Sequence, residues 1–120
     1  MKKYALALDL IDDAELIAEY ENYHKKSWPE VTDSIISSGI LKMEIFRISN
    51  RLFMLMETTE DFSFSRKQEM DQLNEKVQEW ENLMWKFQQP LPFAKQGEKW
   101  ILMDRIFELD SVKKKDKVSE

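Results

Sequence analysis

Apolar side chains recur along this chain with two different periods, and the change from one to the other outlines its elements. Tyr4 to Leu10 is a short, mainly apolar run and reads as a first strand. Asp12 and Asp13 then supply an N-cap and first-turn carboxylates for a helix predicted to run to about His24. Ser27-Trp28-Pro29-Glu30 has the spacing of a capping box, with Ser27 at the cap and Glu30 three residues on. It opens a second helix whose Val31 and Ile35 share a face, and Gly39 is placed to end that helix in a left-handed conformation. Leu41 to Ile48 and Arg51 to Glu57 flank Ser49-Asn50, a tight hairpin turn in which Asn50 tolerates positive φ.

That turn pairs Phe46 with Phe53 on one face and Ile45 with Met54 on the other, so both faces of the sheet carry apolar side chains and both need cover. One layer of helices covers one face. A second copy of the chain is the simplest cover for the other. From Arg66 to Gln89 the period is helical: Leu73, Val77, Trp80, Met84 and Phe87 fall on one stripe, Asn74 is a point at which the helix can divide, and Pro90 and Pro92 end it. Trp100 to Leu109 reads as a last strand, and Ser111 to Glu120 as a charged, lysine-rich, disordered tail. The order β-α-(α)-β-β-α-β is the split β-α-β of a ferredoxin-like α+β fold, expected as one domain over residues 1–110 followed by the tail at 111–120.

Composition narrows the chemistry. The chain has 120 residues, 42% apolar and 12% aromatic, enough for one core. It has no cysteine, which excludes disulfides, thiol catalysis and thiolate metal sites. A net charge of −5 speaks against nonspecific nucleic-acid binding, which needs a basic face. Asp9, Asp12 and Asp13 cut the first apolar run before it becomes a secretory leader, and nothing approaches the ~20 apolar residues of a membrane span. The expectation is a soluble, cytoplasmic protein with no nucleic-acid or membrane partner. One histidine among scattered carboxylates matches no metal spacing, and there is no glycine-rich phosphate loop or nucleophile elbow, so no cofactor is expected.

What remains is acid–base chemistry on a neutral substrate, or simple binding. An imidazole can both give and take protons, and Tyr20 precedes His24 by one helical turn, putting an imidazole and a phenol on one surface. The plain alternative is two residues at a helix end with no role. Trp28 and Trp80 could stack on the C–H patches of a sugar, or fill core. Tyr23, Trp85 and Trp100 read as packing. Glu44 and Arg47 interrupt apolar strand positions, and Glu81 follows Trp80; each could meet a sugar hydroxyl or be solvated surface.

Taken together, Glu19-Tyr20-Glu21-Asn22-Tyr23-His24, the following Trp28-Pro29-Glu30 and Gly39 resemble the L-rhamnose mutarotases. Asn50-Arg51-Leu52-Phe53 resembles the family's hairpin and Val77-Gln78-Glu79-Trp80 its long-helix segment, so the likeness spans Lys3 to Leu109. The resemblance implies a homodimeric α+β barrel acting on a monosaccharide, with His24 as the acid–base residue, Tyr20 binding sugar and Trp80 lining the pocket. The chain departs from the rhamnose type at Met43, where a tyrosine is usual, and at Glu81, where a second tryptophan is usual. Glu44-Ile45-Phe46-Arg47 and Gly97-Glu98-Lys99-Trp100 look more like a branch associated with L-fucose. The implied reaction interconverts the anomers of a 6-deoxy-L-hexose by ring opening and reclosure. A cofactor-free monooxygenase of the same fold and a non-catalytic sugar-binding module are the rival readings.

Overall fold

A computed structural model describes residues 1–111, so the predicted tail lies outside the described residues from position 112 onward. The elements are β1 (Lys2–Leu10), α1 (Ala14–Lys25), α2 (Pro29–Ser37), β2 (Ile40–Ile48), β3 (Arg51–Thr58), α3 (Phe64–Gln72), α4 (Glu75–Trp85), β4 (Gln88–Gln89) and β5 (Ile101–Leu102). The sheet runs β2-β3-β1-β4, β5 also pairs with β1, and each pairing is antiparallel. β1 and β2 therefore point the same way with β3 between them, which is the ferredoxin-like α+β arrangement.

Register decides which side chains meet. Leu6 stands opposite Met54 and Leu8 opposite Leu52, while Ile45 faces Met54 from the other side, as the hairpin spacing predicted. With a side-chain period of two, Leu6, Leu8, Leu10, Leu52, Met54 and Met56 share the face beneath the helices, and all six are buried. Two clusters form there. One joins Leu10 and Leu52 to Tyr20, Val31, Trp80, Met84 and Phe87; the other joins Leu6, Ile40, Met54, Met56 and Phe62. The opposite face presents Ala5, Ala7, Phe46, Ile48, Phe53 and Leu55, with Phe46 and Ile48 exposed.

The helix ends show which local signals were obeyed. Asp13 caps α1 by accepting from the Leu16 N–H at 3.0 Å, and Asn74 caps α4 by accepting from Lys76 and Val77. Gly39 has φ of 102°, and a Cβ there would meet Thr59 Oγ1 at 2.8 Å, so both conformation and space call for glycine. The capping box is not formed. Trp28 occupies the N-cap of α2 without a side-chain bond, because Pro29 takes the first helical position, and Ser27 Oγ pairs with Thr32 Oγ1 at 3.2 Å instead. In the hairpin, Ser49 rather than Asn50 carries the positive φ, 52°; the Asn50 amide is used differently, donating to the Leu10 carbonyl at 3.0 Å.

Three further expectations are corrected. Leu73 is not on the buried stripe: Asn74 starts a new helix, so the four-residue step from Leu73 to Val77 does not run along one helix, and Leu73 is 88% exposed. The long helix stops at Trp85 instead of reaching Gln89: Gln88 and Gln89 pair with Leu10 and Asp9 as β4, and Pro90 disfavours helical geometry at Gln89. The last strand is only Ile101–Leu102. After the Met103 N–H donates to the Ala5 carbonyl at 2.8 Å the chain leaves the sheet, and Ile106, Phe107 and Leu109 are exposed. Apolarity along that segment marks a need for burial but not which surface provides it.

This packing predicts a contrast within one predicted stripe. Met84→Ala, at a side chain 2% exposed, costs about 2–5 kcal/mol of stability, whereas Leu73→Ala stays within about 0.5 kcal/mol of the parent chain, both read from urea unfolding midpoints.

Candidate functional site

The last two turns of α1 carry the site. Tyr20 and His24 lie four residues apart on one face, and their rings stack at 4.4 Å between centroids with a 38° tilt. Tyr20 points inward and is 3% exposed, packed in the Leu10–Phe87 cluster; His24, one turn later, is exposed. His24 Nδ1 lies 2.9 Å from the backbone carbonyl of Tyr20. A carbonyl oxygen only accepts, so Nδ1 carries the proton in this bond. In the neutral ring the lone pair is then on Nε2, turned away from the helix. One backbone contact thus sets both tautomer and ring orientation.

α4 brings Trp80 against the same imidazole, edge to face at 5.5 Å. Trp28, held at the start of α2, meets Trp80 at 5.3 Å, and Tyr23 meets it at 6.3 Å. The structure therefore brings together His24, Tyr20, Trp80 and Trp28 from three helices. Tyr23 packs between Trp80 and Phe87, as the sequence suggested. Beside this cluster a cavity of about 400 Å³ is lined by Glu19, Asn22, Tyr23, Lys26 and Trp28. Arg47, reaching up from β2, pairs with Glu21 of α1 and with the Ser49 carbonyl, so it ties the helix to the hairpin.

Two expected site residues sit apart from the rings. Met43 packs against the second cluster and stands opposite Met56 across β2 and β3. Glu81 is half-buried; its carboxylate accepts from Gln78 Nε2 at 3.4 Å and its backbone carbonyl from Lys99 Nζ at 3.0 Å. Glu44 pairs with Lys42 at the sheet surface. Lys99 Nζ also lies 4.6 Å over the Trp85 ring, and burial lowers its pKa while Glu81 opposes the shift. One residue went unnoticed in the sequence. Gln88 is buried beside Tyr20, its Nε2 3.5 Å from the phenol oxygen. Burial raises the Tyr20 pKa from its ordinary value, and the Gln88 bond opposes this only in part, so the phenol stays neutral. A glutamine between a helical stripe and a proline carries no sequence signal for such a place.

The L-rhamnose mutarotase family model matches residues 3–109. The chain belongs to this family. It is 47% identical over 111 residues to an L-fucose mutarotase from Xanthomonas campestris pv. campestris, covering 91% of this chain and 89% of that protein. Its fold matches the crystal structure of an L-rhamnose mutarotase from Formosa agariphila at a TM-score of 0.68 and 20% identity, over 92% of this chain and all of that one. It also matches a tetracenomycin F2 cyclase from Streptomyces glaucescens at a TM-score of 0.61 and 15% identity, over 92% of this chain and 98% of that one, which shows that the scaffold is shared by unrelated chemistry. As a mutarotase the chain is an isomerase, exchanging the anomers of a 6-deoxy-L-hexose.

The buried phenol has a pH signature. The folded state holds the Tyr20 proton above the ordinary value of 10.0, so the contribution of neutral Tyr20 is complete below that pH and is lost as pH rises through the higher folded value. Urea unfolding across pH 8–11 is therefore expected to show a shallower alkaline loss of stability in Tyr20→Phe than in the parent chain.

Proposed function

We propose that this mutarotase acts on L-fucose, with His24 as its acid–base group. The observation that carries the role of His24 is its anchored imidazole: Nδ1 is engaged by the Tyr20 carbonyl, leaving Nε2 free at an exposed position walled by aromatic rings. Opening a pyranose removes a proton from the anomeric hydroxyl and places one on the ring oxygen as the C1–O5 bond breaks. The aldehyde turns about C1–C2 and recloses, and both transfers reverse on the other face of C1. A neutral imidazole takes the first proton and, as imidazolium, gives one back, so a single residue serves either direction. Carbon oxidation levels do not change, and the cycle needs no redox partner.

Trp28 supplies flat apolar surface for the sugar's C–H edge and its methyl group, the buried Trp80 backs it from the core, and Tyr20 lies beneath His24 with a neutral hydroxyl. Met43 and Glu81 pack elsewhere and receive no contact in this reading. The relative at 47% identity supports L-fucose over L-rhamnose, and so do the side chains at 43 and 81, which depart from the rhamnose type. A homodimer fits the exposed apolar sheet face and Ile106, Phe107 and Leu109, which the described residues leave exposed.

Saturation-transfer NMR checks the chemistry. Anomer exchange of L-fucose is expected to accelerate more than that of L-rhamnose, and His24→Ala to lower the gain by about 10²–10⁴-fold. Exchange unchanged in that variant removes His24 from the mechanism. Sedimentation equilibrium checks the assembly: the parent chain is expected at twice its 14.4 kDa mass, and Phe46→Lys, on the open sheet face, at or near the monomer.

A further inference from the structure

Gln88 carries the one buried side-chain polar atom among the described residues that has no hydrogen-bond partner. It is 6% exposed, on β4 and opposite Leu10, so its side chain shares the helix-covered face of the sheet. Its amide nitrogen reaches the Tyr20 hydroxyl at 3.5 Å, while its Oε1 has no hydrogen-bond partner among the described residues. Native proteins seldom leave a buried amide half-satisfied, and an orphaned atom of this kind calls for a ligand, a water or a role. The shortage does not depend on how the amide is turned. A phenol can accept from the nitrogen or donate to the oxygen, but it engages only one end, and the other end is left over either way.

The neighbour that holds the first end is the decisive point. Tyr20 stacks on His24, so the unfilled half of the Gln88 amide lies one phenol away from the acid–base imidazole. Opposite it in the sheet stands the buried Leu10, whose side chain offers no hydrogen bond. We propose that Gln88 is a specificity residue: its unengaged amide end pairs with one ring hydroxyl of the bound 6-deoxyhexose, while the Tyr20 hydroxyl holds the other end in place. This rests on the mutarotase reading of the ring cluster and adds to it the group that reads hydroxyl stereochemistry. A polar group buried to meet a substrate hydroxyl penalises any sugar that lacks it, because the amide then stays unpaired in an apolar surround.

Two measurements test the proposal. The first needs no variant: in ¹⁵N-labelled parent chain, the Gln88 side-chain amide resonances are expected to shift on adding L-fucose and to stay put with L-fucose deoxygenated at the hydroxyl being read. A resonance that ignores both sugars overturns the proposal, since a purely structural amide or one satisfied by water behaves so. The second uses Gln88→Met, of similar length but apolar, whose folding is checked by its melting curve. Anomer exchange by saturation transfer is run on L-fucose and on its 2-, 3- and 4-deoxy analogues, all of which keep the reacting C1 and ring oxygen. Gln88→Met is expected to lose about tenfold or more in kcat/KM on L-fucose and to lose nothing further on one analogue, the one the parent chain itself handles poorly. An equal loss on every sugar, or on none, overturns the proposal while the reaction assignment stands. Failure of the parent chain to exchange any 6-deoxyhexose overturns both.

Discussion

Burial of one face of the β1–β3–β2 ladder beneath α1 and α4 is the constraint from which the site follows. Leu10 and Leu52 rise from the sheet into the space that Tyr20, Trp80, Met84 and Phe87 close from above. Apolar burial is non-directional, but the register is not, and together they fix the distance between α1 and α4. The contact of His24 with Trp80 is a by-product of that fixed distance. A loosened core would therefore reach the imidazole before it reached the fold as a whole, because the ring is held by its neighbours and by one backbone bond.

That backbone bond orders a histidine that is otherwise exposed. Solvated side chains sample rotamers freely. Here the Tyr20 carbonyl ties down Nδ1, and two aromatic rings restrict the plane of the imidazole. Proton exchange with water and a defined Nε2 direction are then compatible. Tyr20 serves twice, through its carbonyl toward His24 and through its hydroxyl toward Gln88. Burial, rather than any charged neighbour, raises its pKa above the ordinary phenol value.

The scaffold itself does not name the chemistry, since a polyketide cyclase and a sugar mutarotase superpose on the same chain. In the reading proposed above, function resides in a handful of side chains at the end of α1 and in the middle of α4. Among the described residues the sheet's second face is apolar, with Phe46 and Ile48 exposed across from the helices. A face of this kind favours a cover, and the same sheet carries the candidate site on its other side.

Much of the fold was legible from residue order alone. Period-two apolarity located β1, β2 and β3, and the Ser49-Asn50 turn set the register that pairs Phe46 with Phe53. Local backbone rules located Asp13 as a cap, Asn74 as a break and Gly39 as a helix stop. The four-residue spacing of Tyr20 and His24 put them on one face, which is a property of any helix. Other features required the third dimension. That Leu73 is exposed, that Gln88 leaves the helix for the sheet, and that the chain peels away after Met103 depend on which surfaces are present to receive each side chain. The sequence could not place Met43 and Glu81 apart from the ring cluster, nor orient the His24 ring, because those outcomes are set by contacts between residues distant along the chain. Spacing carries direction within one element. Distance between elements exists only after the core has closed.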